Sequence, residues 1–409
     1  MEWVGDRAMD TKQHWIETKL TGVRILVVDD ERVNRELYRH RLESVGIDVH
    51  LADCGEAALE LLDREVIDVV LLDIVMPRMT GVDVLRQIRT AHSRTELPVI
   101  MATAREASED VVSALRLGAN DYVSKPVDFD VLFARVRSQL ELCRATGALA
   151  VANKRMREEL QTAAEIQKAL LPKVLPENGR VRLEWNYSPC DELAGDILNI
   201  FRLDEERLGL YLLDVSGHGV PAALLSSALS HLLTPARSEG TVLWEQLDSP
   251  DGARLVSPAR VAERLNSRFQ LDDATCQYFT LHYGIFDSGS GIYRYLSAGH
   301  PRPLLLKADG TSEFPEGVSP AIGIINDVQF SELQIDLQPG DTLCVYSDGI
   351  VESLDANEEE FGRERFVAAV KAARESDPEH ILDRVIESVR EWCGGEQQDD
   401  ISLIALHVR

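Results

Sequence analysis

Leu210-Tyr211-Leu212-Leu213-Asp214-Val215-Ser216-Gly217-His218-Gly219 reads as a buried apolar strand that ends on a carboxylate and breaks at once into a glycine-rich turn. Three more acidic segments share the second half of the chain. They are Ala194-Gly195-Asp196, Ser347-Asp348-Gly349 after the apolar run Thr342-Leu343-Cys344-Val345-Tyr346, and Asp399-Asp400 before Ile401-Ser402-Leu403-Ile404-Ala405-Leu406. Carboxylates at strand ends can converge on one point. Oxygen ligands beside flexible glycines, with no Cys or His ligand spacing, suit a pair of hard divalent cations, Mg2+ or Mn2+, and such a pair points to hydrolysis of a phosphate ester.

Taken in order, these segments resemble the metal-dependent protein phosphatases, and more closely their bacterial branch that dephosphorylates anti-sigma-factor antagonists in stress and sporulation partner switching. The resemblance is carried by Asp214-Val215-Ser216-Gly217-His218-Gly219-Val220-Pro221-Ala222-Ala223-Leu224 and Ser347-Asp348-Gly349-Ile350-Val351-Glu352. Glu165-Ile166-Gln167-Lys168-Ala169-Leu170-Leu171-Pro172 looks like the usual lead-in, so the match covers roughly residues 160–409. It implies a catalytic set of Asp214, Asp348 and Asp399 around two Mn2+ or Mg2+ ions. Asp214 would bridge the ions, the main-chain carbonyl of Val215 would complete one site, Asp348 and Asp399 would hold the other ion, and Asp196 would lie at its edge, partly through water. Asp400 is set aside as a direct ligand. His218 either protonates the leaving serine or threonine oxygen or only orders its turn, and His300 in Ala298-Gly299-His300-Pro301 resembles a family turn. One position departs from the pattern. Where the family shows Gly-Gly-Asp, an aromatic pair and a second Asp, this chain reads Ala194-Gly195-Asp196-Ile197-Leu198-Asn199, and the lost charge at Asn199 is expected to weaken a water-mediated metal contact.

The first third has another pattern. Arg24-Ile25-Leu26-Val27-Val28-Asp29-Asp30 is an apolar strand ending in two acids, and Asp68-Val69-Val70-Leu71-Leu72-Asp73 is a second ending in one. Pro98-Val99-Ile100-Met101-Ala102-Thr103 and Asp121-Tyr122-Val123-Ser124-Lys125-Pro126 add strand ends with a hydroxyl and an amine, and helical patterns fill 32–44, 55–64, 81–91 and 107–117. Alternating strands and amphipathic helices imply a parallel sheet covered on both faces, with functional residues at the carboxyl ends of its strands. This stretch resembles the receiver domain of bacterial response regulators over roughly residues 22–140. The resemblance makes Asp73 the phosphoacceptor, Asp29 and Asp30 its partners in holding Mg2+, Thr103 and Lys125 the phosphoryl contacts, and Tyr122 the aromatic that changes rotamer on activation. Lys125-Pro126 resembles the family's cis peptide. The spacings agree, with 73 − 30 = 43, 103 − 73 = 30 and 125 − 103 = 22.

Composition fits this division. A chain of 409 residues suggests two or three domains. A net charge of 43 − 69 = −26, with no opposing basic run, disfavours nucleic acid as a partner. Cys54, Cys143, Cys190, Cys276, Cys344 and Cys393 lack paired spacing, as expected of reduced cytoplasmic thiols, and the first twenty residues hold no apolar stretch long enough for a signal peptide or a membrane span.

The domains expected are a tail over 1–21, a flavodoxin-like doubly wound receiver over 22–140, a helical linker over 141–172, and an α+β sandwich of two antiparallel sheets flanked by helices over 173–409. In the linker, apolar residues recur every seventh place at Leu142, Leu149, Met156, Ala163 and Leu170, which favours a coiled-coil homodimer, while a helix packed on its own phosphatase domain stays open. Two function classes follow. One is a two-component phosphatase served by a histidine kinase or phosphotransfer protein and acting on an anti-sigma-factor antagonist. The other is an adaptor that sequesters a sigma factor or its regulator; the retained Asp196, Asp214, Asp348 and Asp399 favour the enzyme.

Overall fold

Five short strands, β1 (Arg24–Val28), β2 (Asp48–Ala52), β3 (Val69–Asp73), β4 (Val99–Ala104) and β5 (Asp121–Lys125), alternate with helices α1 (Arg32–Glu43), α2 (Gly55–Arg64), α3 (Gly81–Ala91) and α4 (Ser108–Leu117). They form one parallel sheet in the order β2-β1-β3-β4-β5. Alternate strand residues feed two separate cores. Ile25, Val27, Val69 and Leu71 pack on one face and Leu26, Val28, Val70 and Leu72 on the other, so these strands are apolar on both sides. The computed structural model describes residues 20–104, 108–238, 240–247, 252–270, 277–376, 380–395 and 397–409. The tail expected over 1–21 therefore falls almost wholly outside them, and Leu20 itself is buried in the receiver core.

Helix α5 (Phe129–Lys168) runs unbroken for 40 residues. Its first turns bury Leu132, Phe133, Val136 and Leu140 in the receiver core, and its last turn buries Gln167. Between them Leu142, Leu149 and Met156 are 52%, 60% and 54% exposed, so their seam is uncovered within a single chain. The chain divides into two compact units inside this helix, at Met156 and Arg157.

The second unit is a sandwich. Strands β6 (Val181–Ser188), β7 (Ile197–Arg202), β8 (Arg207–Val215), β9 (Trp244–Gln246), β10 (Ala253–Leu255), β11 (Phe279–Asp287), β12 (Ile292–Ala298), β13 (Leu304–Leu306), β14 (Ser312–Glu313), β15 (Leu333–Asp336), β16 (Thr342–Tyr346) and β17 (Ile401–Val408) build two antiparallel five-stranded sheets and one two-stranded ribbon. The sheets run β15-β12-β11-β8-β7 and β14-β13-β16-β17-β6. Helices α6 (Val220–Leu232) and α7 (Pro258–Arg268) pack against the first sheet, whereas α9 (Gly362–Ser376) and α10 (Ile381–Trp392) cover the second; α8 (Asp348–Val351) is a single turn after β16. Among the described residues no helix is long and apolar enough to cross a membrane.

Two glycines allow the functional strand ends to close up. The start of α3 is capped reciprocally by Thr80 and Asp83, and a Cβ on Gly81 would lie 1.9 Å from the Asp73 carbonyl oxygen. A Cβ on Gly349 would lie 2.1 Å from the Asp400 carbonyl oxygen. Gly147, in mid-α5, has nothing within 4 Å. Gly81→Ala and Gly349→Ala should each destabilise the chain by about 1–3 kcal/mol, while Gly147→Ala should be neutral or stabilising by up to about 1 kcal/mol. Urea unfolding checks this, and equal midpoints for all three would contradict the close approaches.

Candidate functional sites

In the receiver, β1 and β3 deliver their terminal acids side by side. Asp29, Asp30 and Asp73 are the group of three among the described residues whose ligand atoms all lie within 4.8 Å of one another. Asp29 and Asp73 are buried and Asp30 is exposed. Lys125 Nζ donates to Asp29 Oδ2 at 2.8 Å and Asp73 Oδ2 at 2.6 Å, from beside a cis Lys125-Pro126 peptide. Burial opposes the ammonium charge, but the two hydrogen bonds and the two carboxylates prevail and hold Lys125 above its ordinary pKa. Burial likewise raises the Asp73 carboxyl, against the pull of Lys125. Two residues the sequence reading missed complete the support. Asn34 Nδ2 donates to both Asp29 oxygens at 3.2 Å, and Arg35 Nη1 donates to the carbonyls of Asp29 and Asp30 at 2.6 and 2.9 Å. Thr103 is buried at the end of β4, and Tyr122 is 38% exposed with the Arg135 guanidinium 5.4 Å from its ring centroid.

In the second unit, four chain segments bring acids to one edge of the sandwich. The β7–β8 register pairs Ile197 with Leu213, which sets Asp196 across from Asp214 on the same face. Asp348 opens α8 directly beyond β16, and Asp399 lies just before β17, the neighbour of β16. After Asp214, Gly217 and Gly219 take φ of 89° and 77°, a left-handed path that only glycine follows without strain, and Pro221 then starts α6.

The electrostatics are those of crowded acids. Burial pushes the Asp214 carboxyl up to about 7, with Asp348, Asp399, Asp400 and Glu352 adding to it. Asp196 is held well above the ordinary carboxylate range by burial and then by Asp214 and Asp400, and its Oδ2 is buried without a hydrogen-bond partner. Asp348 and Asp399 are raised, chiefly by burial. Against the burial that raises Asp399, His218 draws it down slightly. Carboxylates desolvated together, with an orphaned oxygen among them, fit divalent cations as the missing countercharge. A set shared by two ions need not bring three carboxyls as close together as the receiver acids are.

Other residues sort themselves by contact. His218 is exposed at the mouth, with Nδ1 3.9 Å from Asp191 Oδ2. His300 is buried, its Nδ1 2.8 Å from Thr280 Oγ1, and burial drives its pKa down to about 3, which suits a neutral structural ring. Asn199 requires a correction. It lies three residues beyond Asp196 and so faces the opposite side of β7; its Nδ2 donates to the Leu170 carbonyl at 3.4 Å, and its strand partner is Tyr211. The departure from Asp thus falls on the contact with the chain after α5, not on the acid cleft. Gln167, quoted in sequence only as part of the lead-in Glu165–Pro172, is buried within the second unit. Its Nε2 donates to the Ala194 carbonyl at 2.8 Å and Ser226 Oγ at 3.2 Å, and its Oε1 accepts from the Ala194 N–H at 3.2 Å. Gln397 was missed as well; its Nε2 donates to the Ser188 and Asp399 carbonyls.

The raised pKa of Asp214 has a thermodynamic consequence. A carboxyl that binds its proton more tightly folded than unfolded contributes stability that is full below about pH 4 and is lost as pH rises through about 7. In EDTA the urea midpoint should fall between pH 5 and pH 8, Asp214→Asn should flatten that fall, and saturating Mn2+ should remove it. An unchanged slope in Asp214→Asn would contradict the crowded cleft.

Comparison with known proteins follows the same division. A family model described as stage II sporulation protein E (SpoIIE) matches residues 204–409, and one described as response regulator receiver domain matches residues 25–137. The chain is 30% identical over 200 residues to the phosphoserine phosphatase RsbP of Bacillus subtilis, covering 48% of this chain and 46% of that protein. It is 35% identical over 227 residues to the Regulator of RpoS of Escherichia coli K12, covering 51% and 65%. Among solved structures the SiaA-PP2C domain of Pseudomonas aeruginosa superposes with a TM-score of 0.52 at 19% identity, over 64% of this chain and 100% of that one, a likeness of fold. The chain thus spans less than two thirds of the length of either curated relative. By the match across its second half, the chain belongs to the stage II sporulation protein E family, and it carries a response regulator receiver domain ahead of that region.

Proposed function

We propose that the chain is a response regulator whose output is a protein-serine/threonine phosphatase, acting on a phosphorylated anti-sigma-factor antagonist under control of Asp73. The observation that carries this reading is the convergence of Asp196, Asp214, Asp348 and Asp399, raised in pKa together by burial, in a unit that is similar to a phosphoserine phosphatase. In the receiver, a histidine kinase or phosphotransfer protein supplies the phosphoryl group to Asp73. Asp29, Asp30 and Asp73 would hold Mg2+, and Lys125 would pair with the added charge.

In the cleft, Asp214 with the Val215 carbonyl, Asp348, Asp399 and Asp196 would hold two Mn2+ or Mg2+ ions. Bound there, the ions supply a water of lowered pKa and positive charge against the phosphoryl oxygens. His218, exposed beside Asp191, is the side chain that would give a proton to the leaving oxygen.

Control runs through α5, which begins in the receiver core and whose buried Gln167 grips both main-chain polar groups of Ala194, two residues before Asp196. The exposed seam of Leu142, Leu149 and Met156 supports pairing of two such helices, so that Asp73 phosphorylation alters the pairing and, through Gln167, the Asp196 loop. The direction expected is activation. A second reading, an adaptor that binds a sigma factor or its regulator, draws on the likeness to the Regulator of RpoS.

The test measures turnover of a phosphoserine antagonist in Mn2+ and dimer mass, with and without a small phosphodonor. The parent should be a dimer that speeds up on phosphorylation. Asp73→Ala and Leu149→Asp should lose that response, and Asp214→Ala should stay folded and inactive, as should the parent in chelator. Near-parent turnover in Asp214→Ala sinks the metal centre. Equal turnover in all conditions, or a monomeric parent, sinks the coupling, and partner binding without turnover makes the chain the adaptor.

A further inference from the structure

Asp400 adjoins a metal acid, yet both of its oxygens are committed to main chain. Oδ1 accepts the Cys190 N–H at 2.9 Å, and Oδ2 accepts the N–H groups of Gly195 at 2.8 Å and Asp196 at 3.4 Å. The side chain is buried, and these donors belong to the loop that carries Asp196. The same residue reaches two further acids through its backbone. Its N–H donates to Asp399 Oδ1 at 2.8 Å, and its carbonyl accepts from Ser347 Oγ at 3.2 Å while Gly349 packs against it. One residue therefore touches the segments bearing Asp196, Asp348 and Asp399.

We propose that Asp400 is a positioning residue: without holding an ion, its carboxylate fixes the Asp196 loop against the Asp348 and Asp399 segments and so sets the cleft's affinity for divalent cations. The inference rests on the reading of the cleft as a metal-dependent phosphatase centre. Three N–H groups aimed at one carboxylate make a demand that an amide cannot meet. Asparagine keeps one acceptor oxygen and turns an NH2 toward either Cys190 or the Gly195–Asp196 pair, leaving at least one donor facing another donor. Partners behind the ligands of a metal site govern its affinity on a scale of about 10- to 100-fold.

The experiment titrates Mn2+ into the full chain, counting bound ions by electron paramagnetic resonance, with turnover measured in parallel. In Asp400→Asn the half-saturating Mn2+ concentration should rise at least about tenfold, with the same number of ions bound at saturation and turnover there close to the parent's. Val370→Ala, a cavity in the outer helix layer away from the cleft, controls for general destabilisation and should leave the Mn2+ midpoint in place. An unmoved midpoint in Asp400→Asn, or an equal rise in Val370→Ala, overturns the inference. Loss of one bound ion at saturation also overturns it, by making Asp400 a ligand. A parent that binds no Mn2+ removes the phosphatase reading and this inference together. Should Asp400→Asn fail to fold, amide hydrogen exchange on the parent decides: the N–H of partly buried Cys190 should exchange slowly in EDTA, and fast exchange that slows only on adding Mn2+ would show the ions, not Asp400, ordering the loop.

Discussion

Holding carboxylates together out of water is the constraint on which the rest of the second unit depends. Asp196, Asp214, Asp348 and Asp399 are each raised in pKa by burial, so folding brings them together against their own electrostatics. What offsets that cost is main chain. The β8 register fixes Asp214 across from Asp196, the absence of a side chain at Gly349 lets α8 meet the Asp400 carbonyl, and N–H groups of the 190–196 loop converge on Asp400. The apolar layers on either side of the two sheets keep this geometry rigid, which is why a cleft of like charges can survive until cations enter it.

The receiver meets the same problem in another way. Its three acids have ligand atoms within 4.8 Å of one another, but Lys125 reaches two of them and Asn34 donates to Asp29. The receiver acids carry a resident ammonium, whereas among the described residues no lysine or arginine is seen to pair with the acids of the cleft, which leaves them short of positive charge. The two acid sites in one chain thus differ in countercharge, in keeping with the separate roles proposed for them.

Much of this was legible in the sequence because strand ends are legible. Val69–Leu72 and Leu210–Leu213 are unbroken apolar runs followed at once by an acid, Asp73 and Asp214, and they lie buried in their sheets. The limits of α3 likewise follow from turn residues and period. What did not read through was the role of side chains whose partners are main chain. Gln167 stood only as part of a lead-in, Asp400 was set aside as a ligand and Gln397 was missed, because hydrogen bonds to backbone across 27 or more residues leave no pattern in spacing. Asn199 misled for a related reason: motif alignment assigns position, but strand parity decides the face, and an offset of three turns the side chain away from Asp196.

The central claim is that the four acids form one centre for two cations. Anomalous diffraction from crystals of the chain grown in Mn2+ tests it most directly. The account predicts two manganese peaks in the cleft, both against Asp214, with Asp348 and Asp399 on one of them. Peaks confined to the receiver acids, or a single ion that leaves Asp214 untouched, would contradict it.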